Sequence, residues 1–255
     1  MPYAKNGDVS LYYEVHGNNG PGLVFAHGAG GNATSWWQQI PEFRDRYRIV
    51  SFDHRGFARS PCAEEAQSAL FFEHDLIAIL DAADLPDAVI VCQSMGGWTG
   101  VRAAVNYPDR VRAVLLANTP GAISNAATQA NTESLIKLVT TAGLGSTAIS
   151  AEFVARCPER ALLYQQIAAY NTVAKPNILG PEFTVTPQAV IDSKCPFGVL
   201  ASDLDPLFPD HVLESVAADI GAECFRVYGA GHSTYFEKPE AFNSILNHFL
   251  HRFDS

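Results

Sequence analysis

Three residue types, far apart in the chain, have the chemistry to make an activated nucleophile. Val89-Ile90-Val91-Cys92-Gln93-Ser94-Met95-Gly96-Gly97 reads as an apolar strand that turns sharply into a helix, with a serine at the turn. Such a turn forces the serine into strained backbone geometry, and small neighbours let strand and helix approach. Gly96 and Gly97 meet that need; Cys92 stands where the G-x-S-x-G pattern has its first glycine. A serine hydroxyl is a weak nucleophile until a base takes its proton, so an imidazole oriented by a carboxylate must come within hydrogen-bond reach. Without those partners Ser94 is only a helix N-cap.

Gly229-Ala230-Gly231-His232-Ser233 follows the last apolar run and is built to present one imidazole. Of the other histidines, His16, His248 and His251 read as solvated or packing residues, and His27 and His54 fall in strand-end turns. The carboxylate candidates are Asp203 and Asp205, in Ser202-Asp203-Leu204-Asp205-Pro206-Leu207-Phe208-Pro209; the alternative for either is helix N-terminal charge. Serine, then aspartate, then histidine is the chain order of hydrolases with this strand-turn-helix serine. A tetrahedral intermediate also needs two backbone N–H donors for its oxyanion. Met95 at the helix start is expected to supply one, and Ala29, in the loop His27-Gly28-Ala29-Gly30-Gly31-Asn32, the other.

These residues need a scaffold that brings strand ends together. Apolar runs at Val9–Val15, Leu23–His27, Arg48–Asp53, Ala88–Gln93, Val111–Asn118, Phe197–Ser202 and Cys224–Tyr228 predict strands. Helical stretches at Phe72–Ala83, Gly96–Tyr107, Asp210–Asp219 and Pro239–Arg252 alternate with them, which predicts a mostly parallel sheet covered on both faces. The alternation fails once, where Thr132–Ala142, Ala148–Arg156 and Glu159–Val173 follow one another without a strand. Residues 121–185 are therefore expected to form a small helical cap, inserted after the sixth core strand region, over a core of residues 1–120 and 186–255. Such a cap would cover the C-terminal edge of the strands, where open α/β sheets bind ligands.

Composition excludes other classes. The 255 residues are 47% hydrophobic, enough for a sizeable core, and 17 Lys+Arg against 27 Asp+Glu leave a net charge of −10. With no basic patch set apart, nucleic acid is not an expected partner. No run of 18 apolar residues and no secretory stretch are found, so no membrane association and a cytoplasmic location are expected. Five cysteines, an odd number at wide spacings, read neither as a disulfide framework nor as a zinc site, and no cofactor is implied.

On these motifs the chain resembles the α/β-hydrolase superfamily over essentially its whole length. HGAGGN (27–32) looks like the oxyanion loop, and FDHRGFARS (52–60) like the D-x-R-G-x-G-x-S turn with Ala58 replacing a glycine. QSMGG (93–97) looks like the nucleophile elbow, and GAGHSTYFEKPEAF (229–242) is similar to the histidine loop and final helix. In that superfamily the acid is commonly the Asp of a D-x-x-x-P segment after the sixth strand of the core sheet. This favours Asp205, with Asp203 second and Ser202 departing from a usual glycine. The resemblance is closest to small esterases, enol-lactone hydrolases and cofactor-free haloperoxidases. It implies a serine hydrolase, of carboxylesterase or lactonase type, acting on a small, mainly apolar ester or lactone. Trp98, Phe208 and Tyr235 flank the proposed site and are the expected substrate contacts.

Three rivals remain. Carbon–carbon bond hydrolases of ring-cleavage products share S-M-G-G but typically carry a tryptophan after the catalytic histidine, where this chain has Ser233. A ligand-binding receptor on the same fold would keep the triad without turnover. Gly28-Ala29-Gly30-Gly31-Asn32-Ala33 also fits a dinucleotide-binding pattern, with Asp53 as the ribose acid, but Pro41 comes too soon for the long helix that would hold a pyrophosphate. That reading also leaves Ser94, Asp205 and His232 unexplained.

Overall fold

The apolar runs pair into one eight-stranded sheet in the order β1-β2-β4-β3-β5-β6-β7-β8. The strands are β1 (Tyr3–Asn6), β2 (Val9–His16), β3 (Gly22–Ala26), β4 (Arg48–Phe52), β5 (Ala88–Gln93), β6 (Val111–Ala117), β7 (Phe197–Ser202) and β8 (Glu223–Val227). The computed structural model describes residues 2–143, 147–171, 174 and 176–253. β2 runs antiparallel to β1 and β4, and every later pairing is parallel. The sheet is thus the mostly parallel one expected from the alternation of strand and helix.

Alternate residues of the central strands serve two separate cores. In β5, Val89 and Val91 join Phe25, Phe43 and Phe249 on one face, while Ile90 and Cys92 join Leu76, Val101 and Leu213 on the other. Because both faces are covered, β5 and β6 read as unbroken apolar runs rather than alternating ones. The second of these faces carries α2 (Phe72–Ala82), α3 (Gly96–Asn106) and α8 (Asp210–Ile220); the first carries α1 (Ile40–Phe43) and α10 (Pro239–Leu250). Parallel strands all point the same way, so the loops after β3, β5, β7 and β8 gather at one edge of the sheet.

Between β6 and β7 lie α4 (Ala126–Ala142), α5 (Ala151–Arg156), α6 (Pro158–Ala169) and α7 (Pro187–Asp192). The helix expected from Ala148 begins at Ala151, because the Ser150 hydroxyl accepts from Phe153 N at 3.1 Å and caps it. The helix expected over Glu159–Val173 is found as Pro158–Ala169, and its expected end at Val173 lies outside the described residues. β1 was not anticipated: it is short and half exposed, and pairs with β2 across a two-residue turn at Gly7 and Asp8. Among the described residues no helix is long and apolar enough to cross a membrane.

Candidate active site

Ser94 sits between β5 and α3 with φ of +50°, a left-handed conformation that costs a non-glycine residue about 1–3 kcal/mol. Gly96 permits the turn: a Cβ there would lie 2.2 Å from the Ala26 carbonyl oxygen of the neighbouring strand. The departure at Cys92 is accommodated about one turn into α3. Its sulfur occupies space left by Gly100, where a Cβ would come within 2.3 Å of it.

His232 and Asp205 come from the loops after β8 and β7 and are buried, 3% and 5% exposed. The ring Nδ1 is 3.0 Å from Asp205 Oδ2. An ionised carboxylate can only accept, so Nδ1 carries the proton and Nε2 is left as the acceptor. Asp205 is itself held: Oδ1 accepts from Leu207 N at 2.9 Å and Phe208 N at 3.2 Å, and Oδ2 from Asn118 Nδ2 at 3.1 Å. Asp203, the second candidate, is exposed and accepts from Gly229 N at 2.7 Å, bracing the loop from outside. Ser94 and His232 line one cavity of about 180 Å³. Among the described residues no hydrogen bond joins them, as is common before substrate draws such a pair together.

The loop after β3 is set by a buried pair of histidines. His54 N donates to His27 Nε2 at 2.9 Å, so the His27 proton is on Nδ1, 2.8 Å from the Gly28 carbonyl oxygen. Burial pushes the His27 pKa down to about 4 and that of His54 well down, keeping both rings neutral. Gly31 N also donates to Gly28 O, at 2.9 Å. Because the Gly28–Ala29 peptide is trans, the Ala29 N–H points away from that carbonyl. Among the described residues neither the Ala29 N–H nor the Met95 N–H has a protein acceptor, and both residues border the cavities around Ser94.

A second cavity, of about 460 Å³, also opens on Ser94 and is walled by Trp98, Phe208 and the α4 side chains Leu135 and Val139. Trp98 and Phe208, two of the expected substrate contacts, both border this cavity. Tyr235 does not: it is 3% exposed, lies 4.7 Å from Trp36 between ring centroids, and borders neither cavity. The short helix α9 (Thr234–Glu237) turns it into the apolar layer beside Phe242.

The sequence pattern that defines the alpha/beta hydrolase family matches residues 23–245. The chain belongs to the alpha/beta hydrolase family. The 3-oxoadipate enol-lactonase 2 of Acinetobacter baylyi is 30% identical over 264 aligned residues, covering 97% of this chain and 95% of that protein. RutD of Azorhizobium caulinodans, whose name refers to carbamate hydrolysis, is 38% identical, but over only 46% of this chain. This family member spans just 44% of RutD's own length in that match. Among solved structures, Est816, described as an N-acyl homoserine lactone degrading enzyme, superposes with a TM-score of 0.78 at 25% identity. That superposition covers 97% of this hydrolase and 100% of Est816.

Several residues around the site were not anticipated. Asn118, at the end of β6 with φ of +53°, donates to Asp205 and to Ser202 Oγ at 2.6 Å. Ser202 in turn donates to Gly231 O at 2.8 Å, which gives this non-glycine position a task. Glu237 accepts from Gly231 N and Ser150 N, each at 3.0 Å, and from Ser150 Oγ at 2.5 Å, tying the histidine loop to the start of α5. Burial raises the Glu237 pKa, with those donors opposing it. Tyr164, on α6, meets Ser233 Oγ at 2.9 Å. Asp53 is engaged on both oxygens, by Ala33 N at 2.7 Å and by the Arg59 backbone and guanidinium. It links the β3 and β4 loops and has no oxygen left for a ribose. Among the described residues no cluster of His, Cys, Asp or Glu is arranged for a metal ion.

Proposed function

We propose that this alpha/beta hydrolase cleaves a carboxylic ester or lactone through an acyl-enzyme on Ser94. The observation that carries the reading is the buried Asp205–His232 pair, 3.0 Å apart, opening on the same cavity as a serine held at φ of +50°. His232 Nε2 takes the Ser94 proton as Oγ bonds to the substrate carbonyl carbon, and Asp205 holds the resulting imidazolium. The Ala29 and Met95 N–H groups stabilise the oxyanion, with Met95 helped by the helix N-terminus behind it. His232 then passes its proton to the leaving oxygen as the C–O bond breaks. Water, deprotonated by the same ring, releases the acid and returns the proton to Ser94.

Residues 121–185 act as a cap, whose α4 and α6 close the cavities from above. Trp98 and Phe208 contact the apolar part of the substrate. The enol-lactonase likeness along nearly the full chain favours an oxygen ester over a carbon–carbon bond, as does Ser233 after the histidine. Steady hydrolysis of p-nitrophenyl butyrate, lost in Ser94→Ala, is the expected result; tight binding without turnover would make the protein a receptor instead.

A further inference from the structure

The two cavities that meet at Ser94 differ in size, lining and access to the histidine. The larger, about 460 Å³, is lined almost wholly by apolar groups, from α3, α4, the loop after β7 and the residues Ala174, Pro176, Ile178 and Leu179. The smaller, about 180 Å³, mixes small apolar groups such as Ala148 and Ala168 with the polar side chains of His232, Gln93, Tyr164 and Asn171. Ser94 and Ala29 border both, so the reacting carbonyl, bonded to Ser94 and with its oxygen at the Ala29 amide, sits at their junction. His232 borders only the smaller one.

That asymmetry fixes which half of a substrate goes where. The leaving oxygen must be within reach of the His232 proton when the tetrahedral intermediate collapses, so the alcohol half lies on the histidine side. The acyl half is then directed into the other cavity. Resting on the serine-hydrolase reading above, we propose that the substrate class is an apolar acyl group of medium length joined to a small alcohol. With about 180 Å³ against about 460 Å³, the histidine side takes the smaller half of the substrate. Burial pushes the Tyr164 phenol up to about 12, so it remains a hydroxyl throughout the neutral range. Shared with Ser233 Oγ at 2.9 Å, it is placed to hydrogen-bond a second hydroxyl on the alcohol half.

For a lactone both halves belong to one ring, and the division becomes a positional preference. A chain on the carbon next to the carbonyl enters the large apolar cavity. A chain on the carbon that bears the ring oxygen is forced into the small one. α-Hexyl-γ-butyrolactone and γ-hexyl-γ-butyrolactone are isomers of the same composition, so differences in their hydrolysis report position rather than hydrophobicity.

The test is kcat/KM for both lactones, with matched open esters as a second measurement. The α isomer is expected to be favoured at least tenfold. Ethyl hexanoate should exceed ethyl acetate, and hexyl acetate should fall below it. Tyr164→Phe should narrow the preference for glyceryl monobutyrate over propyl butyrate while leaving the acyl-chain order intact. Equal rates for the two lactones, or preference for the γ isomer and for hexyl acetate, would overturn the division of the cavities. Retention of the same rates in Ser94→Ala would instead remove the serine-hydrolase reading itself, whatever the chain-length pattern.

Discussion

Two buried histidine sites lie at the same edge of the sheet, and they are built in opposite ways. His232 rests on a carboxylate, with Nδ1 3.0 Å from Asp205, and borders a cavity. His27 and His54 pack edge to face, 4.4 Å between ring centroids, and are fully sealed; their hydrogen-bond partners are neutral. A carboxylate on one nitrogen makes the other a better base and steadies the charged ring, which proton transfer requires. A sealed ring with neutral partners resists charging, and its value is in fixing the direction of peptide groups. Burial alone therefore does not suit a histidine to proton transfer; a carboxylate partner and an open side do.

The comparison is broken most severely at the carboxylate. Asp205→Asn should lower kcat for a p-nitrophenyl ester by about 10⁴-fold, by analogy with serine proteases in which the wrong tautomer results. Asp203→Asn, which touches only the Gly229 amide, should change it by less than about threefold, a surface-substitution effect. Steady-state rates for both variants check the pair, and the reverse ranking would exchange their roles.

The sealed site is tested through the proposed oxyanion loop. In His27→Ala the Gly28 carbonyl loses its imidazole donor and keeps only Gly31 N, so the direction of the Ala29 amide is less firmly fixed. Since one misplaced oxyanion donor costs on the order of 10²-fold, kcat should fall by about that factor at most while KM for a short ester changes little. A larger change in KM than in kcat would mean that His27 shapes the pocket instead.

The same ring should also govern acid stability. Its folded-state pKa is about 4 against 6.5 for the free side chain, so between those values the unfolded chain binds a proton that the folded chain does not. Stability is therefore full above about pH 6.5 and falls as the pH drops toward 4, by on the order of 3 kcal/mol from His27 alone. His54, shifted the same way, adds to the loss. Urea titrations of folding between pH 7 and 4 should show a shallower decline in His27→Gln than in the parent; identical slopes would contradict the neutral assignment.

The smallest effect concerns the elbow. Gly100→Ala should destabilise by about 1–3 kcal/mol through overpacking against the Cys92 sulfur, and Cys92→Gly should relieve most of that loss in the double variant. Additive changes in urea unfolding would show that the two positions do not share space.

Much of this was legible in the sequence because strands buried on both faces must be continuously apolar. β3, β5, β6 and β7 announce themselves in that way, and with them the loops that follow. β1 escaped because it is a short edge strand with no apolar run, although Gly7-Asp8 before Val9 is a hairpin signal. Ser94 and His232 were legible because a tight turn and a glycine-rich loop constrain their neighbours. Asp203 and Asp205 were legible only as alternatives, since two residues of spacing at a strand end decide which points inward. Tyr235 was misleading because the phase of a four-residue helix cannot be read from four residues. Asn118, Glu237 and Tyr164 carry no local pattern at all. Their tasks arise from contacts across long stretches of chain, which only the fold reveals.

The central claim is that folding activates the hydroxyl of Ser94. Intact-protein mass spectrometry after exposure to a fluorophosphonate, followed by peptide mapping, tests it most directly. One adduct per chain on the peptide containing Ser94, lost in His232→Ala, is the predicted result. No adduct on the native protein, or an adduct on another residue, would contradict it.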